Sequence, residues 1–300
     1  MLLDTPSLYF RAFFGVPDSI RAPDGSPVNA VRGLLDFIAR LVTDRSPTHL
    51  VAAMDADWRP AFRVQAIPSY KAHRVATGDQ EQVPDPLVPQ VAVIEEVLAA
   101  LGVPTVGVEG YEADDVIGTV ATHATRAVDV VTGDRDLFQL VDDARRVRVL
   151  YTARGVGRHE VVDEAFVTAK YGIPGRAYAD FATLRGDPSD GLPGVAGVGE
   201  KTAAALVTKF GSLDGILAAL DAGDTGMPPG ARTKLEAARG YLEVAPVVVA
   251  VATDVPVPAY DDLLPSKPAD PERLLALSER WGLDSSLNRV LTAFGGAATR

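Results

Sequence analysis

Three short apolar runs in this 300-residue chain each lead into aspartate: Leu2-Leu3-Asp4, Val51-Ala52-Ala53-Met54-Asp55, and Val128-Asp129-Val130-Val131-Thr132-Gly133-Asp134-Arg135-Asp136. Glu112-Ala113-Asp114-Asp115 follows a fourth run, Val103–Val108, and Asp187-Pro188-Ser189-Asp190 adds two carboxylates from a loop-like segment. Short runs rich in β-branched residues read as strands. If they lie parallel, their carboxyl ends share one edge, and open α/β sheets bind ligands in the crevice beyond that edge. Nine carboxylates then converge: Asp4, Asp55, Glu112, Asp114, Asp115, Asp134, Asp136, Asp187 and Asp190. Crowded like charges raise one another's pKa values unless cations compensate them. An all-oxygen set selects Mg²⁺ or Mn²⁺ over zinc, and nine groups are enough for two or more ions. Two ions about 3.5–4 Å apart, holding the attacking and leaving oxygens, recur in phosphodiester hydrolysis. Acidic residues also cap helices and shape turns. What favours metal is the gathering of several clusters on one edge.

Two further segments suit a polyanionic partner. Trp58–Gly78 carries Arg59, Arg63, Lys71, His73 and Arg74 without an acidic residue, interleaved with Trp58, Phe62 and Tyr70. Cations among aromatic rings suit a single-stranded backbone and its bases. Leu192-Pro193-Gly194-Val195-Ala196-Gly197-Val198-Gly199-Glu200-Lys201-Thr202-Ala203 has the form of a helix-hairpin-helix. Gly194, Gly197 and Gly199 let backbone approach a phosphate, and the helix opened by Lys201 and Thr202 offers free N–H groups to it. No strand precedes it, as a dinucleotide loop would require.

The elements that must position these residues alternate. Helical periodicity at Val28–Val42, Leu87–Leu101 and Ala113–Ala127 falls between strands at Met1–Leu3, Leu50–Ala53, Val103–Val108, Val128–Val131 and Val147–Tyr151. The expected fold is therefore α/β, with a mostly parallel central sheet flanked by helices over residues 1–175. Residues 176–300 read as a smaller helical region with the hairpin at 186–210, a loop at Asp221–Gly230, a Pro-rich connection at Asp254–Pro271 and a last helix at Pro271–Trp281. With 47% hydrophobic and 23% charged residues the composition is globular. The absence of cysteine excludes disulfides and zinc ribbons and suits a reducing cytoplasm. No secretory leader is read at the N-terminus, and the longest apolar stretch, Val244–Ala252, is about half of the ~20 residues that span a bilayer. A net charge of −11 argues against nucleic acid until nine neutralised carboxylates are subtracted, which leaves −2.

The motifs Gly110-Tyr111-Glu112-Ala113-Asp114-Asp115-Val116-Ile117-Gly118-Thr119, Thr132-Gly133-Asp134-Arg135-Asp136-Leu137-Phe138-Gln139-Leu140-Val141 and Gly186-Asp187-Pro188-Ser189-Asp190-Gly191-Leu192-Pro193-Gly194-Val195 resemble the bacterial 5′ nuclease superfamily. This is the family of 5′→3′ exonucleases and flap endonucleases, found also as the N-terminal domain of family A DNA polymerases. The resemblance runs from Leu2 to about Leu291. It implies a PIN-like core with a helical arch at about 57–105. It assigns Asp4, Asp55, Glu112, Asp114 and Asp115 to a first metal, Asp136, Asp187 and Asp190 to a second, and Asp134 near both. It implies that Tyr70 stacks on the substrate, that Lys71 and Arg74 serve the scissile phosphate, and that Arg11 joins the DNA contacts that the basic segment already assigns to Arg59 and Arg63. A potassium ion on the hairpin carbonyls, DNA with a 5′ end, flap or gap as partner, RNA-containing 5′ strands as a further substrate, and action as a monomer away from membranes complete the expectation. Thr5 after Asp4, Gly191 in place of a common asparagine and Met54 in place of a common phenylalanine depart from the family pattern without removing a carboxylate. The rival readings are a catalytically silent DNA-structure-binding module and a metal-dependent ribonuclease.

Overall fold

The computed structural model describes residues 1–78, 80–228 and 230–298. Its first half runs β1 (Leu2–Asp4), α1 (Thr5–Gly15), α2 (Asn29–Arg45), β2 (Val51–Ala53), α3 (Ala61–Ala66), β3 (Val75–Thr77), β4 (Gln80–Glu81), α4 (Val88–Leu101), β5 (Thr105–Val106), α5 (Ala113–His123), β6 (Val128–Thr132) and β7 (Val147–Tyr151). Then come β8 (Glu160–Val162), α6 (Glu164–Tyr171), α7 (Tyr178–Arg185), α8 (Glu200–Phe210), α9 (Leu213–Asp221), α10 (Ala231–Ala237), α11 (Arg239–Val249), α12 (Pro271–Trp281) and α13 (Asp284–Ala298).

The main sheet has the order β5-β2-β1-β6-β7-β8. All its pairs are parallel except β7 with β8, an antiparallel edge strand that the sequence reading missed. Its central strands β1 and β2 are buried on both faces, as covered parallel sheets require. Side chains alternate between two cores: Leu2, Val51 and Val130 pack on one face, and Leu3, Ala52 and Val131 on the other. The second core holds α2, α4, α12 and α13. Sequence grouped α12 and α13 with the helical second half; the structure returns them across the chain onto α4 and α2.

From β1 the chain steps outward to β2 and β5 on one side, then crosses back past β1 to β6 and β7 on the other. That reversal opens a crevice at the carboxyl ends of β1 and β6. The stretch expected as a helical arch is helical only in α3 and α4. Between them Lys71 takes the left-handed conformation (φ 48°), a 3₁₀ turn spans Ala72–Arg74, and β3 and β4 pair as an antiparallel ribbon. Among the described residues no single helix is long and apolar enough to cross a membrane.

Candidate metal centre and nucleic-acid interface

Asp4 ends β1 and caps α1, its carboxylate accepting from Ser7 N–H (3.2 Å) and Thr132 Oγ1–H (2.6 Å). Asp55 follows β2 and accepts from Ala113 N–H (2.8 Å) at the start of α5. Glu112 caps α5 in a reciprocal box with Asp115. Asp134 follows β6 and accepts from Asp136 N–H (2.8 Å), while Asp187 caps the 3₁₀ turn Pro188–Asp190. Asp4, Asp55, Glu112, Asp114, Asp134 and Asp187 line one cavity of about 380 Å³ at the sheet's carboxyl edge. The strand-end reading therefore brings six of the nine carboxylates to one place. Asp115, Asp136 and Asp190 do not line this cavity.

The crowding is visible in the acidities. Burial, with a smaller push from Asp134, raises Asp4 to about 6. A recessed position and the Glu112 charge raise Asp55 to about 7, although its side chain reaches solvent. Asp114 and Asp136 are pushed well up by burial first and by neighbouring carboxylates second.

Cations meet part of this charge, and here several expectations change. Arg63, expected at the nucleic acid, is 2% exposed. It forks onto Asp115 at 2.6 and 2.7 Å, also reaches Glu112, and donates from Nε to Val248 O (3.1 Å). It is a buried strut between α3, α5 and α11. Asp115 is spent in the same network: fully buried, it also accepts from Glu112 N–H and Ala252 N–H. Tyr70, expected to stack on substrate, is 4% exposed and donates its hydroxyl to Glu112 (2.7 Å), so no base can reach its ring. Arg59 donates to Tyr70 O (2.6 Å) and Pro68 O (2.8 Å), bracing the turn that carries Lys71. Lys71 and Arg74 do face the cavity: the ammonium pairs with Glu112, and Arg74 pairs with Asp190 at 2.7 Å. Phe10, Trp58, Glu81 and Arg135 join the lining. Of these only Trp58 carried a signal in sequence, as an aromatic among cations.

The residues fit hard divalent cations. Every acidic donor is oxygen, and Asp136 Oδ1 is buried without a hydrogen-bond partner, a cost that a ligand would relieve. Among the described residues no three carboxylates close on one point as a finished cage. Mg²⁺ characteristically keeps several waters and takes few protein oxygens, which this open arrangement suits. A consequence is testable without substrate. Asp4 holds its proton to about 6, so the stability it contributes is complete below its unfolded value and is lost as pH rises through about 6. In EDTA, Asp4→Asn is expected to gain on the wild type between pH 5 and pH 8, by about 1.4 kcal/mol. Thermal unfolding at both pH values checks this, and an unchanged difference would contradict it.

The hairpin lies beside the cavity. Gly194 (φ 64°) packs so tightly on Arg185 and Gly186 that a Cβ there would overlap their backbone, whereas Gly199 borders open space. Val195 and Val198 anchor the hairpin in the core. α8 is entered from Gly199 without a side-chain cap, leaving its first N–H groups for an anion, with Lys201 exposed and Thr202 partly so. Lys234 Nζ donates to Gly197 O (2.8 Å). Arg11 stands against Gly133 and donates to Ala153 O (3.2 Å).

Comparison with known proteins agrees along the whole length. Residues 1–172 match the family model described as 5′-3′ exonuclease, N-terminal resolvase-like domain, and residues 173–272 match the 5′-3′ exonuclease, C-terminal SAM fold. A 5′-3′ exonuclease of Streptomyces coelicolor is 64% identical over 297 residues, covering 97% of this chain and 99% of that protein. A 5′-3′ exonuclease of Mycobacterium tuberculosis is 53% identical over 307 residues, covering 98% and 96%. The bacteriophage T5 D15 flap endonuclease, solved in complex with DNA and metal ions, shares the fold with a TM-score of 0.65 at 16% identity, covering 100% of this chain and 99% of that one.

Proposed function

The chain belongs to the 5′-3′ exonuclease family, and from that premise we propose a structure-directed nuclease that cuts DNA phosphodiesters near a free 5′ end, flap or gap. The observation that carries the reading is one acidic cavity, faced by Lys71 and Arg74, next to a hairpin whose following helix leaves its first N–H groups uncapped. Two or more Mg²⁺ or Mn²⁺ ions would be held by Asp4, Asp55, Glu112 and Asp114 on one side and by Asp136, Asp187 and Asp190 on the other, with Asp134 between. Asp115 positions Glu112 rather than acting as a ligand. When bound, such ions acidify water and stabilise the leaving oxygen.

The chain's own residues do the rest. Duplex phosphate docks on the N–H groups of α8 and on Lys201 and Thr202, contacts that read no sequence and weaken steeply with salt. Phe10 and Trp58 offer rings to unstacked bases at the cavity wall. Lys71 and Arg74 offset charge developing on the phosphate. A potassium ion on the hairpin would compete with the Lys234 ammonium for Gly197 O. Backbone recognition extends to RNA-containing 5′ strands. The working form is a cytoplasmic monomer.

The test is a 5′-labelled DNA flap duplex, a matched DNA single strand, an RNA strand of the same sequence and p-nitrophenyl phosphate, each with Mg²⁺, Mn²⁺ or EDTA. Metal-dependent cleavage near the flap junction is expected. Flap binding without cleavage would instead support a silent recognition module, cleavage of RNA strands alone a ribonuclease, and turnover of p-nitrophenyl phosphate alone a phosphatase.

A further inference from the structure

We infer that Ser69 and Gly191 are positioning residues, whose contact clamps the Lys71–Arg74 turn onto the Asp187–Asp190 turn and so presets both cations over the acidic cavity. The inference rests on the nuclease reading above. Segments more than a hundred residues apart are joined at four points. Ser69 Oγ donates to Gly191 O (2.9 Å), Lys71 N–H donates to Asp190 O (2.8 Å), and Arg74 Nη2 donates to Ser189 O (2.8 Å) and Asp190 Oδ1 (2.7 Å). Gly191 sits at φ 75°, and a Cβ built there would overlap Ser69 O. Glycine is therefore demanded twice, by the backbone and by the approach. On the other side Lys71 is held at φ 48°, a conformation that a lysine keeps only when its surroundings impose it.

The clamp ties substrate grip to chemistry. Asp187 and Leu192 exchange backbone hydrogen bonds (3.0 and 2.8 Å), so the clamped turn runs without slack into the hairpin. Duplex held on that hairpin then meets Lys71 and Arg74 at a fixed spacing, with the cost of ordering a cationic turn already met in the free protein. Ser69 and Gly191 touch neither the cavity nor the first turn of α8, so their effect must run through the turn they hold.

Two readouts test this, one of them independent of nuclease activity. In DNA-free protein, trypsin cleavage after Lys71 and Arg74 is expected to accelerate about threefold in Ser69→Ala, which loses one hydrogen bond, and about tenfold in Gly191→Ala, which also meets steric overlap. Ser69→Thr, which keeps the hydroxyl, restores resistance. On the flap substrate kcat falls in the same order, while duplex affinity measured in EDTA stays within about twofold. Unchanged proteolysis in both variants, or a kcat that rises when the clamp opens, would overturn the inference. So would a parallel loss of duplex affinity, which would make the contact a mere brace for the hairpin. If the wild type cleaves no substrate, the nuclease reading fails, and the trypsin comparison still decides whether the clamp exists.

Discussion

Asp134→Asn is expected to lower cleavage by on the order of 10³-fold, about the 4 kcal/mol that loss of one preorganised electrostatic contact costs a transition state. Asp134 has this weight because of its place. It stands at the end of β6 in the cavity lining, and its charge raises Asp4 and Asp114 on one side and Asp136 and Asp190 on the other. An amide keeps the shape and one acceptor for Asp136 N–H, so the fold and the hairpin should be untouched. Fluorescence anisotropy on a flap duplex in EDTA should therefore match the wild type while the cleavage assay falls silent. A variant that cleaves within tenfold of the wild type would remove Asp134 from the metal centre.

Arg63→Met is expected to destabilise the protein by about 3–5 kcal/mol, the usual cost of stranding buried charge by removing its partner. The guanidinium is 2% exposed and serves Asp115, Glu112 and the Val248 carbonyl together. Its loss leaves Asp115 without a cation, and Glu112 with Lys71 alone, in a region water barely reaches. Urea denaturation measures the loss, and a double-mutant cycle with Asp115→Asn separates the pair from simple packing. A loss below about 1 kcal/mol would contradict the role of Arg63 as the buried partner of these carboxylates. Activity should fall as well, because Glu112, which lines the cavity, is oriented by the same network.

The contrast between these two residues marks what sequence can reveal. Asp134 was legible because a β-branched run ends beside it, and strand ends in a parallel sheet share an edge. The same logic placed Asp4 and Asp55 on that edge, and Glu112 and Asp114 with them because they follow the Val103–Val108 run. Arg63 and Tyr70 were misread because Trp58–Gly78 has no acidic residue of its own. Their partners, Glu112 and Asp115, lie 42 to 52 residues further along. Charge compensation is a property of space, and a basic run looks solvated until the fold delivers its carboxylates. β8 went unread because three residues at a sheet edge carry little periodicity, and the placement of α12 and α13 because amphipathic helices do not announce which face they will cover.

β1 carries an unusual concentration of duties for its length. Three residues make the strand, and the last of them is at once a cavity carboxylate, the cap of α1 and the acceptor for Thr132. Leu3 is paired simultaneously with Ala52 and Val131, and no loop separates Asp4 from the helix that begins at Thr5. A slip of one residue would turn Leu2 and Leu3 to the wrong cores and carry the carboxylate out of the crevice. This opening segment should therefore accept conservative replacement at Leu2 or Leu3 yet reject any insertion or deletion between Met1 and Ser7, and a scanning library of single-codon indels would find its sharpest intolerance there.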